Sequence, residues 1–178
     1  NWPKYEKAVA TFTRMLDNVV EINGLPLQLQ REEILRKRRH GMGYIGLGSA
    51  MAMLNMTYGS TESVDFTREV TKQLAVIGWK VGVDLAIEKG PAPIFNEDFD
   101  DTPHISSRMA TIPGPPARGF YSAKELFVNS KYMERIFSVA PELREAILLH
   151  GCRFTHHSSI APTGTIALSV GNNASNGI

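Results

Sequence analysis

Two threonines flank a glycine in Ala161-Pro162-Thr163-Gly164-Thr165-Ile166. Two hydroxyls and a run of backbone N–H groups can wrap an anion, with Thr163 and Thr165 donating to phosphate oxygens. No lysine stands in the segment, so it is not a P-loop. The same residues also suit an ordinary turn. Gly41, Gly43 and Gly46 spell G-x-G-x-x-G, a dinucleotide fingerprint. That fingerprint needs a strand before it and an acid about 20 residues on. Here a charged helical pattern precedes Gly41, and Glu62 and Asp65 follow a turn. The glycines read better as architecture, where missing side chains let neighbouring elements approach.

Other reactive residue types form no set. His156 and His157 are adjacent, so on a strand they face opposite sides and cannot share one metal. His40, His104 and His150 have no partner at ligand spacing. Glu97, Asp98, Asp100 and Asp101 lack the alternation and glycine of a calcium loop. Cys152 has no general base paired with it.

Helices must position these residues. Val9, Phe12, Leu16, Val19 and Val20 predict a helix over Lys4 to Val20, stopped by Asn23-Gly24. Gln30 to Arg39 predicts a second, charged helix, REEILRKRRH, with Glu32 and Glu33 four residues ahead of Arg36 and Lys37. It reads as a solvated helix end; no aromatics interleave its bases to stack on nucleic acid. Gly41 to Leu47 predicts a strand and Gly48 to Met56 a short helix. Glu62 to Lys89 predicts a long helix capped near Ser60 and Thr61, with Val64, Val70, Leu74, Ile77, Val81, Leu85 and Ile87 inward. Lys89-Gly90-Pro91 stops it. Residues 90–119 read as a Pro/Gly-rich excursion. Ser122 to Asn129, Ser130 to Val139 and Pro141 to His150 predict short helices. Ser158 to Ala161 predicts a buried strand, and Pro162 to Thr165 a turn.

Of the 178 residues, 43% are hydrophobic and 21% charged, which suits a globular body with a real core. The net charge of +1 gives no field toward nucleic acid or membrane. One cysteine rules out an internal disulfide and fits a reducing, cytoplasmic setting. No apolar run approaches the length that spans a bilayer, and no signal peptide is visible. The chain opens on Asn1 and closes on Asn176-Gly177-Ile178, and it reads as 178 residues of a single partial domain within a longer protein.

The phrases of this sequence, taken in order, resemble the catalytic large subunit of ribonucleotide reductase over nearly the whole chain. They are Leu16-Asp17-Asn18-Val19-Val20, Arg38-Arg39-His40-Gly41-Met42-Gly43 through Gly46, Tyr58-Gly59-Ser60, and Glu88-Lys89-Gly90-Pro91. His150-Gly151-Cys152-Arg153, Ala161-Pro162-Thr163-Gly164-Thr165-Ile166, and Asn173 to Ile178 complete the set. The P-T-G-T loop looks most like the adenosylcobalamin-dependent class II enzymes.

The resemblance implies an α/β fold: a mostly helical fragment of a ten-stranded α/β barrel, with a few short strands. It implies that Ala161, Pro162, Thr163, Gly164, Thr165 and Ile166 hold the phosphates of a ribonucleotide substrate, a diphosphate. The family's radical-bearing cysteine and its redox pair match no residue here, so no catalytic residue falls in this stretch and the segment alone is inactive. Cys152 stands where the family carries an apolar residue, and Phe154 where it carries asparagine. The resemblance further implies adenosylcobalamin and a thioredoxin-type reductant for the parent, with no nucleic acid or membrane partner. Half a barrel leaves an apolar face open, so a homo-oligomer or self-association is expected. The competing reading is a non-catalytic helical protein-interaction module using REEILRKRRH and the Pro-rich excursion.

Overall fold

The computed structural model describes residues 1–102, 105, 109, 119–171 and 178. His104, the rest of 103–118 apart from residues 105 and 109, and the Asn173 to Gly177 phrase lie outside the described residues. The chain is mostly helical, a helical fragment of an α/β barrel with few strands. Helix α1 spans Trp2–Ile22, α2 Gln28–Lys37, α3 Leu47–Met53 and α4 Thr61–Lys89. A 3-10 turn at Pro93–Asn96 leads to strand β1, Asp98–Asp100, which pairs antiparallel with β2, Phe120–Ser122. Helices α5 (Ala123–Val128), α6 (Lys131–Phe137), α7 (Glu142–His150) and α8 (Gly164–Ser169) follow.

Local chemistry sets most helix ends. The Asn1 side chain accepts from the Lys4 amide at 3.2 Å, and Ser60 accepts from the Ser63 amide at 3.2 Å. Ser122 and Glu125 form a reciprocal capping box on α5. α4 stops at Gly90, whose φ of 86° terminates the helix before Pro91.

α4 is the central beam. α1 packs on one side of it and α7 on another. The main core joins Trp79 and Val83 of α4 to Phe95, Val128, Met133, Ile136, Leu143, Ile147, Cys152 and Phe154. A smaller cluster joins Leu74 and Ile77 to Val9 of α1. Each large side chain removed from water there contributes about 1.5–3 kcal/mol. The stripe expected on α4 needs correction. Val64 and Ile87 are exposed, while Trp79, Val83, Gly78 and Gly82 are buried. α4 is covered on two faces, and a single periodic stripe cannot describe that.

Gly78 and Gly82 explain how the chain lies so close to α4. A Cβ on Gly78 would stand 2.0 Å from His157 Cε1, and one on Gly82 would stand 2.5 Å from Cys152 Sγ. The strand expected at Gly41 to Leu47 reduces to a parallel bridge between Met42 and Ser158. Met42 N–H donates to His157 O at 2.8 Å, and Ser159 N–H to Met42 O at 3.0 Å. Close approach is nonetheless the purpose of Gly41 and Gly43: a Cβ on either would meet Ser159 at 2.5 and 2.4 Å. Ser158 to Ala161, expected as a buried strand, is exposed. Its bridge partner is Met42, and Ser158, Ser159, Ile160 and Ala161 are each exposed among the described residues. In the Pro-rich excursion, β1 at 98–100 pairs with β2 at 120–122 just beyond it.

Candidate functional site

The sequence places the candidate phosphate loop at 161–166, and the structure makes it the entry to α8. Ala161 and Pro162 are exposed. Thr163 takes a left-handed conformation, φ 56° and ψ 16°, and Gly164 begins the helix, so the expected turn is in part a first helical turn. No side chain caps this N-terminus. The amides of Gly164, Thr165 and Ile166 therefore have no intrahelical acceptor and lie at the positive end of the helix dipole. Thr163 Oγ1 is buried with no hydrogen-bond partner. α3 begins in a similar way, with Gly46 at φ 78° and no side-chain cap. Met42 and Ser158 run parallel, so α3 and α8 leave from the same end of the paired segments.

A second assembly went unrecognised in the sequence. Asp17, on the buried face of α1, accepts from Arg38 Nη2 at 2.7 Å and Nε at 3.0 Å. It also accepts from Arg153 Nε at 3.2 Å through each oxygen. Glu21 bonds the same two guanidiniums, at 2.8 Å and 3.0 Å. Lys89 Nζ lies 3.7 Å from Asp17, and Arg153 Nη1 reaches the carbonyls of Lys89 and Gly90. The phrases around Asp17, Arg38, Lys89 and Arg153 thus meet at one charged knot joining α1, α2, α4 and the segment after α7. It contains no group placed for bond-making chemistry; each charge is spent on another. A signal was available: Val9, Thr13, Asp17 and Val20 share one helical face, so two polar residues sit where core is due. α1 consequently inverts the expectation for Phe12 and Val19, which are exposed.

The histidines divide as their alternation predicts: His156 is exposed and His157 is buried. His157 Nε2 lies 3.1 Å from Thr13 Oγ1. His40, expected to have no partner at metal-ligand spacing, packs its ring 4.3 Å from that of Phe154 and 5.5 Å from that of His157. Burial pushes both His40 and His157 down to about 4, so both are neutral near pH 7. Cys152 is fully buried, and burial pushes its thiol up to about 12, which removes it as a nucleophile. Among the described residues no cluster of three or more His, Cys, Asp or Glu could hold a metal ion. No helix among them is long and apolar enough to cross a membrane.

The charged helix resolves as a self-paired surface. Glu33 bonds Arg36, Lys37 and Arg39, and Glu97 takes Arg36 through both oxygens. Arg38 turns inward to Asp17.

The family model for the ribonucleotide reductase barrel domain matches residues 1–178. Ribonucleoside-diphosphate reductase subunit alpha of Chlamydia muridarum is 26% identical over 94% of this chain and 15% of its own length. The large subunit of ribonucleoside-diphosphate reductase from African swine fever virus is 25% identical over 94% of this chain and 21% of its own. A vitamin B12-dependent ribonucleoside-diphosphate reductase of Mycobacterium tuberculosis is 26% identical over 54% of this chain and 14% of its own. The chain therefore spans a small part of the relatives it matches. With every residue matched by the family model, the chain belongs to the ribonucleotide reductase large-subunit family, within its barrel domain.

Proposed function

We propose that this chain is the part of a ribonucleoside-diphosphate reductase that grips the phosphates of its substrate, through residues 161–166. The observation that supports this is the start of α8. Its first-turn amides are uncapped, and the Thr163 hydroxyl beside them is buried without a partner. Amides at a helix N-terminus favour an anion by direct donation and through the dipole. Thr165, exposed in the same turn, offers a second hydroxyl. The grip stands away from the reacting ribose, so its contribution is orientation: a nucleotide held by its tail presents its sugar in one place.

The parent reduces ribonucleotides to deoxyribonucleotides by radical chemistry with cysteines that lie outside this chain, and the chain alone is inactive. We further propose adenosylcobalamin as the parent's radical source. Pro162-Thr163-Gly164-Thr165 and the likeness to the Mycobacterium tuberculosis protein favour it. When bound, that cofactor supplies the radical; no residue of this chain is assigned to holding it. A cytoplasmic parent recycled by a thioredoxin-type reductant completes the reading. The interaction-module alternative loses its main support, because the charged face of α2 is already paired with Glu33 and Glu97.

The test is a pair of variants in the full-length protein, Thr163→Val and Thr165→Val. Loss of a hydrogen bond to a charged group costs about 1.5–3 kcal/mol, so KM for a ribonucleoside diphosphate rises about tenfold or more. Unchanged KM in both variants would remove the phosphate grip. Turnover that requires added adenosylcobalamin supports the cofactor reading, and full turnover without it overturns that reading.

A further inference from the structure

We propose that His157 is a positioning residue for the 161–166 loop, held in one tautomer by Thr13. This rests on the reading of that loop as the phosphate grip. Thr13 Oγ1 donates its only proton to Val9 O at 2.8 Å. At 3.1 Å from His157 Nε2 the hydroxyl can then only accept, so the imidazole carries its proton on Nε2. A neutral ring agrees with its burial, which lowers the affinity of the ring for a second proton.

The ring cannot swing away. It fills the space left by Gly78, and the rings of Trp79, Phe154 and His40 stand 6.2, 5.6 and 5.5 Å from it by centroid. The backbone is held at the same place, because His157 O accepts from Met42 N–H and Ser159 N–H returns to Met42 O. Beyond this point the chain is exposed from Ser158 to Pro162. His157 is therefore the last buried side chain before the loop. Its bond to α1 fixes where the exposed stretch begins, and so where Thr163 and the α8 amides stand.

The test uses the full-length protein. Thr13→Val keeps the shape of the side chain and removes the acceptor; Thr13→Ser restores it. In Thr13→Val, hydrogen exchange of the bonded amides of Met42 and Ser159 accelerates while the core of α4 is unchanged. KM for the diphosphate substrate rises about tenfold, the scale of one lost hydrogen bond, with kcat within about twofold. Thr13→Ser returns both to the parental values. Unchanged exchange at Met42 and Ser159 overturns the positioning role even where Thr163→Val still raises KM. Accelerated exchange with KM unchanged in Thr13→Val, Thr163→Val and Thr165→Val alike supports the positioning role and removes the phosphate reading. Nitrogen-15 shifts of His157 at neutral pH give an independent check in the unmodified protein: a proton on Nδ1 would overturn the assignment.

Discussion

Arg153 reaches across 136 residues of sequence to place its Nε 3.2 Å from both carboxylate oxygens of Asp17. Asp17 is 1% exposed and Arg38 3%, so neither has water to fall back on. Removing Asp17 strips the two guanidiniums of their buried partner and leaves them only Glu21, which is half exposed, together with backbone carbonyls; breaking a buried pair costs up to about 3–5 kcal/mol. Asp17→Ala should lose about 2–4 kcal/mol of stability by urea denaturation, with Arg38 and Arg153 left to share Glu21. A loss below about 1 kcal/mol would show that the knot contributes little.

Gly78 and Gly82 lie one turn apart on α4, and each gives up its side chain to a neighbour. Gly78→Ala pushes a methyl into the His157 ring, and Gly82→Ala pushes one into Cys152 and Phe154. Overpacking of this kind costs about 1–3 kcal/mol. Both variants should melt several degrees below the parent. Gly24→Ala, with nothing within 4 Å of the new carbon, is the control and should be close to neutral.

Acid should weaken the fold through His40 and His157. Their folded values, about 4, lie below the ordinary 6.5, so the unfolded chain takes up protons first as pH falls. The stability is fully present above about pH 6.5. It declines toward pH 4 and then levels, a loss on the order of a few kcal/mol from the pair. Urea midpoints measured from pH 7.5 to 4 read it. His40→Phe should flatten part of this slope without cost at pH 7, because both His40 ring nitrogens are buried without partners.

The outer face of α1 carries Phe12, Met15, Val19 and Ile22, all exposed. Apolar surface of this kind drives association. The isolated chain should sediment as oligomers at micromolar concentration, and Met15→Glu with Val19→Lys should shift it toward monomer. An isolated chain that sediments as a monomer without these changes would contradict this.

How much of this could be read from residues alone depends on the distance over which each feature is decided. The stop of α4 was legible because Lys89, Gly90 and Pro91 decide it locally. So was the close approach at Gly41 and Gly43, since a missing side chain in an apolar run has few other uses. The orientation of α1 was not legible. Asp17 turns inward only because Arg38 and Arg153 arrive from elsewhere, and Thr13 only because His157 does. β1 was missed because Asp98-Phe99-Asp100 is a poor strand former that pairing with Phe120 to Ser122 rescues. In the loop, Pro162-Thr163-Gly164 reads as a turn. The helix behind it lacks the side-chain cap that would announce a start.

α1 buries one face against α4 and leaves an apolar strip, Phe12, Met15, Val19 and Ile22, open on another. A ribosome that had released only this much polypeptide would present an oily ridge to the chaperones waiting at its exit. Transiently exposed apolar surface of this kind is what makes a folding intermediate prone to aggregate.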